Sequence, residues 1–204
     1  MIAIIDYGVG NVASIKNMLK KSGHEAFLTN NHDELRNATK LILPGIGAFD
    51  SCAQNLDIFN LREILNELVI TNQKPILGIC VGMQLLSSKS EEGVLAGLDW
   101  IPSTVKKFSF TDSALKIPHM GWNVVSPQNN NPLFENLPED ARFYFAHSYH
   151  AHCANEEHIA ALTHYGYDYA SAISKDNIFG VQFHPEKSHK FGMKILSNFA
   201  ELKF

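Results

Sequence analysis

The chain has 204 residues, a formal net charge of −4 and a hydrophobic content of 45%, which is enough for one globular domain with a sizeable core. It contains no block of Lys and Arg of the kind that binds nucleic acid, and no apolar run long enough to cross a bilayer. We therefore expect one domain over residues 1–204, without a nucleic-acid or membrane partner.

Strand-like and helix-like segments alternate in the first half of the chain. Buried strands are predicted at residues 2–5, 26–29, 41–43 and 75–77, and helices at residues 11–21 and 57–71. Right-handed crossovers between parallel strands are typical of this alternation. The first half therefore predicts a largely parallel sheet with helices on both faces.

The second half contains short strand candidates with few helices between them. They lie at residues 105–110, 122–125, 142–146, 159–163, 170–174 and 178–183, and a C-terminal helix is predicted at residues 188–202. Strands separated only by turns pair in antiparallel or mixed fashion. The predicted fold class is therefore α/β, an open and mostly parallel sheet flanked by helices with added antiparallel or mixed strands.

The most informative motif surrounds Cys80, which lies between Gly78 and Gly82 at a predicted strand-to-helix corner. This is the thiol form of the nucleophile elbow, whose tight turn requires small neighbours and exposes the reacting side chain at the sheet edge. The start of the following helix would favour the thiolate. Taken alone, Cys80 is also compatible with a small buried hydrophobe, and the elbow is shared by hydrolases and transferases.

A thiol nucleophile needs a base and a group that orients the base. His184 follows the last predicted strand, and the carboxyl ends of parallel strands carry the catalytic groups in open α/β sheets. Glu186 lies two residues later, so an extended backbone would point both side chains the same way. Cys80, His184 and Glu186 are therefore predicted to form a catalytic triad. Taken alone, His184 could instead cap the strand and Glu186 could be a solvated surface residue.

Acyl transfer also needs hydrogen-bond donors for a developing oxyanion. The elbow offers the backbone N–H of Val81, and residues 44–47, which include Gly45 and Gly47, could supply a second donor. An ordinary strand-to-loop turn would have the same composition.

Several ordered motifs connect these residues to a known family. Residues 78–84 and 183–186 resemble class I glutamine amidotransferases, whose fold is flavodoxin-like. Residues 6–11, 43–49, 118–123, 144–149 and 180–188 further resemble, within that family, the glutaminase subunits of imidazole glycerol phosphate synthases. The similarity extends over nearly the whole chain.

The resemblance implies that Cys80 attacks the carboxamide of glutamine to give a thioester and ammonia, and that water then releases glutamate. His184 would move the proton and Glu186 would orient it. The remaining substrate contacts would come from Gly45, Gly47, Val81, Gln84, Ser148 and Tyr149. No cofactor and no metal are implied.

The resemblance also implies a partner, because relatives of this kind pass ammonia to a (β/α)8-barrel cyclase in histidine biosynthesis. The expected assembly is a heterodimer in the cytoplasm. The three cysteines agree with a reducing compartment, since they are odd in number and lack metal-like spacing. Residues at positions that the family places near the interface are Asn11, Met120, Trp122, Tyr144 and Lys187.

Three alternatives differ in what happens around the thiol. A paralogous glutaminase subunit could feed ammonia to a different synthetase, for example in surface-sugar biosynthesis. A stand-alone cysteine hydrolase or peptidase would need an open substrate groove and no partner face. A catalytically inactive regulatory module would have a broken triad, whereas Cys80, His184 and Glu186 are all present.

Overall fold

A computed structural model describes residues 1–111 and 115–203. Its strands are β1 (Ile2–Ile5), β2 (Ala26–Thr29), β3 (Lys40–Gly45), β4 (Ile76–Cys80), β5 (Ser103–Lys107), β6 (His119–Val124), β7 (Ser126–Pro127), β8 (Arg142–His147), β9 (Tyr149–Cys153), β10 (Ile159–Tyr165), β11 (Tyr167–Lys175) and β12 (Ile178–Val181). Its α-helices are α1 (Val12–Lys21), α2 (His32–Asn37), α3 (Phe49–Ile58), α4 (Leu61–Asn66), α5 (Val81–Gln84) and α6 (His189–Glu201). A π-helical turn, Glu67–Thr71, follows α4, and 3-10 turns lie at Pro132–Phe134, Glu156–His158 and Pro185–Lys187.

The main sheet has a parallel centre and an antiparallel extension. Its order is β2-β1-β3-β4-β12-β11-β10-β7, with β9 pairing both β11 and β5. The pairs from β2 to β12 are parallel, and those beyond β12 are antiparallel. Strands β1, β3, β4 and β12 are buried along their whole length, as central parallel strands require. The predicted α/β class is confirmed.

A separate two-stranded sheet, β6 with β8, lies beside the main one. Within the described ranges, no helix is both long and apolar enough to span a bilayer.

The long helix predicted at residues 57–71 is wrong. Helix α3 ends at Ile58, and Asn60 takes a left-handed conformation with φ of 54° before α4 begins. Asparagine tolerates this conformation better than most residues, so the helix is interrupted there although the apolar periodicity of the sequence continues. Strand β9 was not predicted, because its sequence (Tyr-His-Ala-His-Cys) lacks the apolar alternation that indicates a strand.

The turn between β4 and α5 packs its backbone directly against β3. A Cβ atom at Gly82 would lie 1.9 Å from the carbonyl oxygen of Leu43, and one at Gly45 would lie 2.4 Å from the nitrogen of Gly82. Neither gap can hold a methyl group unless the backbone itself moves. The glycines of the elbow and of β3 therefore allow the two chain segments to touch.

We expect Gly82→Ala to destabilise the fold by about 3 kcal/mol, because the added methyl group overlaps backbone atoms that cannot rotate away. Urea unfolding would measure the loss. Gly23→Ala is the matched control: Gly23 has φ of +83° but open space around it, so only the conformational cost of about 1 kcal/mol should appear. Equal losses in the two variants would contradict the overlap.

Candidate active site

Cys80 ends β4 and stands at the corner before α5. Its backbone has φ of 56° and ψ of −113°, the strained conformation expected of a nucleophile elbow. The side chain borders a cavity of about 400 Å³. Contrary to the expectation that the start of the helix would favour the thiolate, α5 has only four residues, so few peptide dipoles are aligned behind the sulfur. Any stabilisation of a thiolate must come chiefly from neighbouring side chains.

His184 and Glu186 meet as predicted, but by a different backbone geometry. Strand β12 ends at Val181, and the two residues flank Pro185 at the start of a 3-10 turn, Pro185–Lys187. The Nδ1 atom of His184 lies 2.9 Å from Oε1 of Glu186, and both side chains are almost fully buried. The carboxylate therefore accepts a hydrogen bond from Nδ1–H of His184, which leaves Nε2 free for proton transfer at the substrate.

The imidazole of His184 borders the same cavity as the thiol of Cys80 and interacts with it electrostatically. Burial by itself would lower the pKa of His184, but the hydrogen bonds and charges of Cys80 and Glu186 raise it to about 10. The imidazolium is thus favoured at neutral pH. A cation beside the sulfur is the environment that stabilises a thiolate. The three predicted triad residues form one connected group.

The cavity collects most of the residues expected to contact glutamine. Its lining includes Gly47, Val81, Gln84, Ser148 and Tyr149 together with Cys80 and His184. Gly45 is the exception: it pairs with Cys80 at the end of β3 and packs against Gly82, behind the cavity wall. The close packing on Gly82 accounts for a glycine at this position, and a contact between Gly45 and glutamine stays a prediction.

Two glutamine side chains connect the cavity wall to the nucleophile. The Nε2 atom of Gln84 donates to the carbonyl oxygen of Tyr149 and to Oε1 of Gln182, each at 3.1 Å. This leaves Nε2 of Gln182 facing the sulfur of Cys80 at 3.8 Å. Sequence analysis missed Gln182, although it lies two residues before His184 and could have been found by the same alternation argument.

Residues 44–47 are held from behind by two buried side chains that sequence analysis also missed. The hydroxyl of Tyr7 donates to the carbonyl of Pro44, and the thiol of Cys52 donates to the carbonyl of Ile46 at 3.4 Å. Burial raises the pKa of Cys52 to about 11, so its thiol keeps the proton that it donates. The peptide between Gly45 and Ile46 is thus bracketed by two anchored carbonyls.

Four of the five predicted interface residues lie on β6, β8 or the 3-10 turn after β12. Trp122 pairs with Tyr144 across the small sheet, and Lys187 places Nζ 5.5 Å from the centre of the Tyr144 ring. Met120 is 65% exposed and Trp122 is 46% exposed, and the two lie two residues apart on β6, so they expose apolar surface close together. Asn11 lies apart from them in sequence, immediately before α1.

Comparison with known proteins decides the family. The family model described as glutamine amidotransferase class-I matches residues 3–202. The chain belongs to the class I glutamine amidotransferases. This amidotransferase is 54% identical over 199 residues to imidazole glycerol phosphate synthase subunit HisH 2 of Methanococcus maripaludis, covering 98% of each chain. It is 47% identical to the protein named imidazole glycerol phosphate synthase subunit HisH in Bdellovibrio bacteriovorus, covering 99% of this chain and all of the relative.

Solved structures agree with this assignment at the level of the fold. A structure described as a glutamine amidotransferase matches 99% of the amidotransferase and 100% of that chain, with a TM-score of 0.75 at 15% identity. A glutamine amidotransferase from Thermotoga maritima gives a TM-score of 0.64 at 15% identity, covering 91% of this chain and 75% of the other. At these identities the likeness concerns the fold alone.

Proposed function

We propose that this amidotransferase is the glutaminase subunit of an imidazole glycerol phosphate synthase, with Cys80, His184 and Glu186 as its catalytic triad. The observation that carries the catalytic part is that Glu186 holds His184 by a hydrogen bond, and that His184 and Cys80 border the same cavity and interact electrostatically. The full-length relatives at 45–54% identity support the more specific assignment, because all of those compared bear the name of that synthase subunit. None of them is named for a different synthetase, so the paralogue with another acceptor is not favoured.

Glutamine hydrolysis begins with attack of the Cys80 thiolate on the side-chain carboxamide. The N–H of Val81, with a second donor from residues 44–47, stabilises the oxyanion of the tetrahedral intermediate. The imidazolium of His184 gives its Nε2 proton to the leaving nitrogen, the carbon–nitrogen bond breaks, and ammonia departs. The product on the enzyme is a thioester between Cys80 and the glutamyl group.

Water completes the reaction. Neutral His184 accepts a proton from the water that attacks the thioester, and the carbon–sulfur bond breaks to regenerate the thiolate and release glutamate. Glu186 holds the ring in one tautomer and stabilises its charged form in both halves of the cycle. The cavity of about 400 Å³ at Cys80 has room for a single amino acid, which agrees with free glutamine as substrate.

The ammonia is delivered to a (β/α)8-barrel cyclase bound as a heterodimer partner. Free ammonia is mostly ammonium at neutral pH and is then not nucleophilic, so transfer through a closed interface preserves its reactivity. The exposed apolar side chains of Met120 and Trp122, with Tyr144 and Lys187 beside them, provide a surface of the right composition for that partner. A glutaminase that works only in the complex would avoid wasting glutamine, so we expect the partner to shift residues 44–47 toward an oxyanion-stabilising form.

Reconstitution tests this assignment directly. The protein is mixed with a (β/α)8-barrel cyclase subunit, its ribonucleotide acceptor and glutamine, and formation of imidazole glycerol phosphate and glutamate is followed. We expect stoichiometric formation of both products, with glutamate release much slower in the isolated protein. Glutamate release without product in the complex would refute the histidine-pathway assignment. Equally fast hydrolysis by the isolated protein would refute activation by the partner.

A further inference from the structure

Three buried side chains outside the triad form a hydrogen-bonded series beside the substrate cavity, which we call the histidine–tyrosine chain: His119 on β6, Tyr169 on β11, and His147, which ends β8 and lines the cavity. Nδ1 of His119 lies 3.1 Å from the hydroxyl of Tyr169, and the same hydroxyl lies 3.2 Å from Nε2 of His147. The relative exposure of each residue is 6% or less. Nothing in the triad mechanism uses them.

The contacts determine which group donates and which accepts at each step of the histidine–tyrosine chain. Nδ1 of His147 lies 2.7 Å from the carbonyl oxygen of Tyr149, so this nitrogen must carry a proton. In a neutral ring Nε2 then has no proton and accepts a hydrogen bond. The Tyr169 hydroxyl therefore donates to His147, and its oxygen accepts from Nδ1 of His119. Nε2 of His119 is then an acceptor, and Nδ2 of Asn123 faces it at 3.4 Å.

The protonation states agree with these donor and acceptor roles. Burial lowers the pKa of His119 to about 4 and is the largest of the effects that lower the pKa of His147 to about 3. Both rings are consequently neutral, as one donor and one acceptor nitrogen on each ring require. Burial also raises the pKa of Tyr169 well above its usual value, so its hydroxyl keeps the proton that it donates.

The two ends of the histidine–tyrosine chain lie at functionally different places. One end fixes the carbonyl of Tyr149, which also receives a hydrogen bond from Gln84 at 3.1 Å and belongs to the cavity wall. The other end lies in β6, where His119 immediately precedes Met120, an exposed residue among those predicted at the interface. The chain thus connects the strand proposed to face the partner with the segment proposed to bind glutamine.

We propose that Tyr169, with His119 and His147, positions the Tyr149 segment for glutamine binding and links its geometry to strand β6. This rests on the proposed glutaminase function and deepens it. The three are positioning residues, since they hold the wall of the site and take no part in bond breaking. Loss of one link should weaken substrate binding and leave the chemical step nearly intact.

The test is Tyr169→Phe in the heterodimer, which removes the shared hydroxyl and keeps the ring. We expect the KM for glutamine to rise about five- to tenfold, as loss of one neutral hydrogen bond in the support of the site implies, with kcat changed less than about twofold. Synthesis from added ammonium salt should be unchanged. An unchanged KM, or a fall confined to kcat, would overturn the proposal.

Tyr167→Phe is the matched control. Tyr167 lies on the same strand and its hydroxyl contacts Nε2 of His150 at 3.0 Å, but Nδ1 of that histidine faces Ala151 rather than the cavity. A general loss of stability would lower the thermal midpoint in both variants and change both KM values together, which would contradict a positioning role.

Imidazole ¹⁵N shifts give a readout that does not depend on activity. In the wild type, His147 should be the Nδ1–H tautomer, and Tyr169→Phe should change the shift of its Nε2 atom while Tyr167→Phe should not. An Nε2–H tautomer of His147 in the wild type would contradict the proposed histidine–tyrosine chain even if glutamine hydrolysis is confirmed. Absence of glutamine hydrolysis with the expected shifts would instead refute the proposed function alone.

Discussion

Cys80→Ala is expected to reduce glutamine-dependent synthesis by the heterodimer at least about a thousandfold, because Cys80 is the only thiol among the described residues that line the cavity. Synthesis from added ammonium salt should persist, since the proposed function places the cyclase site on the partner. Both rates are measured as formation of imidazole glycerol phosphate, with glutamine or ammonium as the nitrogen source.

Cys153→Ala is the control for this experiment. Cys153 is a partly buried free thiol outside the cavity, and burial raises its pKa to about 11, so it is a poor nucleophile at neutral pH. Its replacement should leave both rates within about twofold of the wild type. If Cys80→Ala retained glutamine-dependent synthesis, the sulfur would not be the nucleophile; if both nitrogen sources failed, the residue would be needed for assembly.

Glu186→Gln is expected to lower the kcat for glutamine hydrolysis by about 10² to 10⁴, as in other triads whose orienting carboxylate becomes an amide. The substitution removes one of the hydrogen bonds and one of the negative charges that raise the pKa of His184, while the burial that lowers it remains. The pKa of His184 should therefore fall. The imidazolium would then lose its proton at a lower pH than in the wild type. The alkaline limb of the kcat/KM profile should therefore move toward neutral pH.

The pH profile and the imidazole ¹⁵N shifts of His184 measure these two changes. Glu157→Gln provides a control, because Glu157 also lies beside a histidine, with Oε1 3.9 Å from Nε2 of His158, but on the exposed side of the protein. That variant should keep the wild-type profile. A His184 that titrates at the same pH in Glu186→Gln as in the wild type would show that the carboxylate does not support the imidazolium.

The triad was predictable because its signals are local in sequence. Gly78, Cys80 and Gly82 specify the elbow within five residues, and His184 and Glu186 are two positions apart. Even so, their contact arises from a 3-10 turn rather than from the extended strand that the alternation argument assumed. The residue types were therefore sufficient to predict the triad, whereas the sequence pattern did not indicate the 3-10 turn that brings His184 and Glu186 together.

The supporting groups could not be predicted, because their partners are distant in the chain. The contact between His119 and Tyr169 spans 50 residues, and that between Gln84 and Gln182 spans 98. Such contacts depend on strand register, and a shift by one residue would reverse the face of every side chain. The break at Asn60 was missed for another reason: a single left-handed residue interrupts a helix without changing the apolar period around it.

The close seam between the elbow and β3 limits how a partner can control this enzyme. Gly82 and Gly45 bring the two segments into backbone contact, and strand pairing extends to Gly45 and Cys80, so movement of the nucleophile away from β3 would break that pairing. Tyr7 and Cys52 secure the carbonyls on either side of the Gly45–Ile46 peptide. Under the proposed activation by a partner, hydrolysis would then be switched on by rotation of one or two peptide planes, a change that leaves the outer shape of the subunit the same in the inactive and active forms.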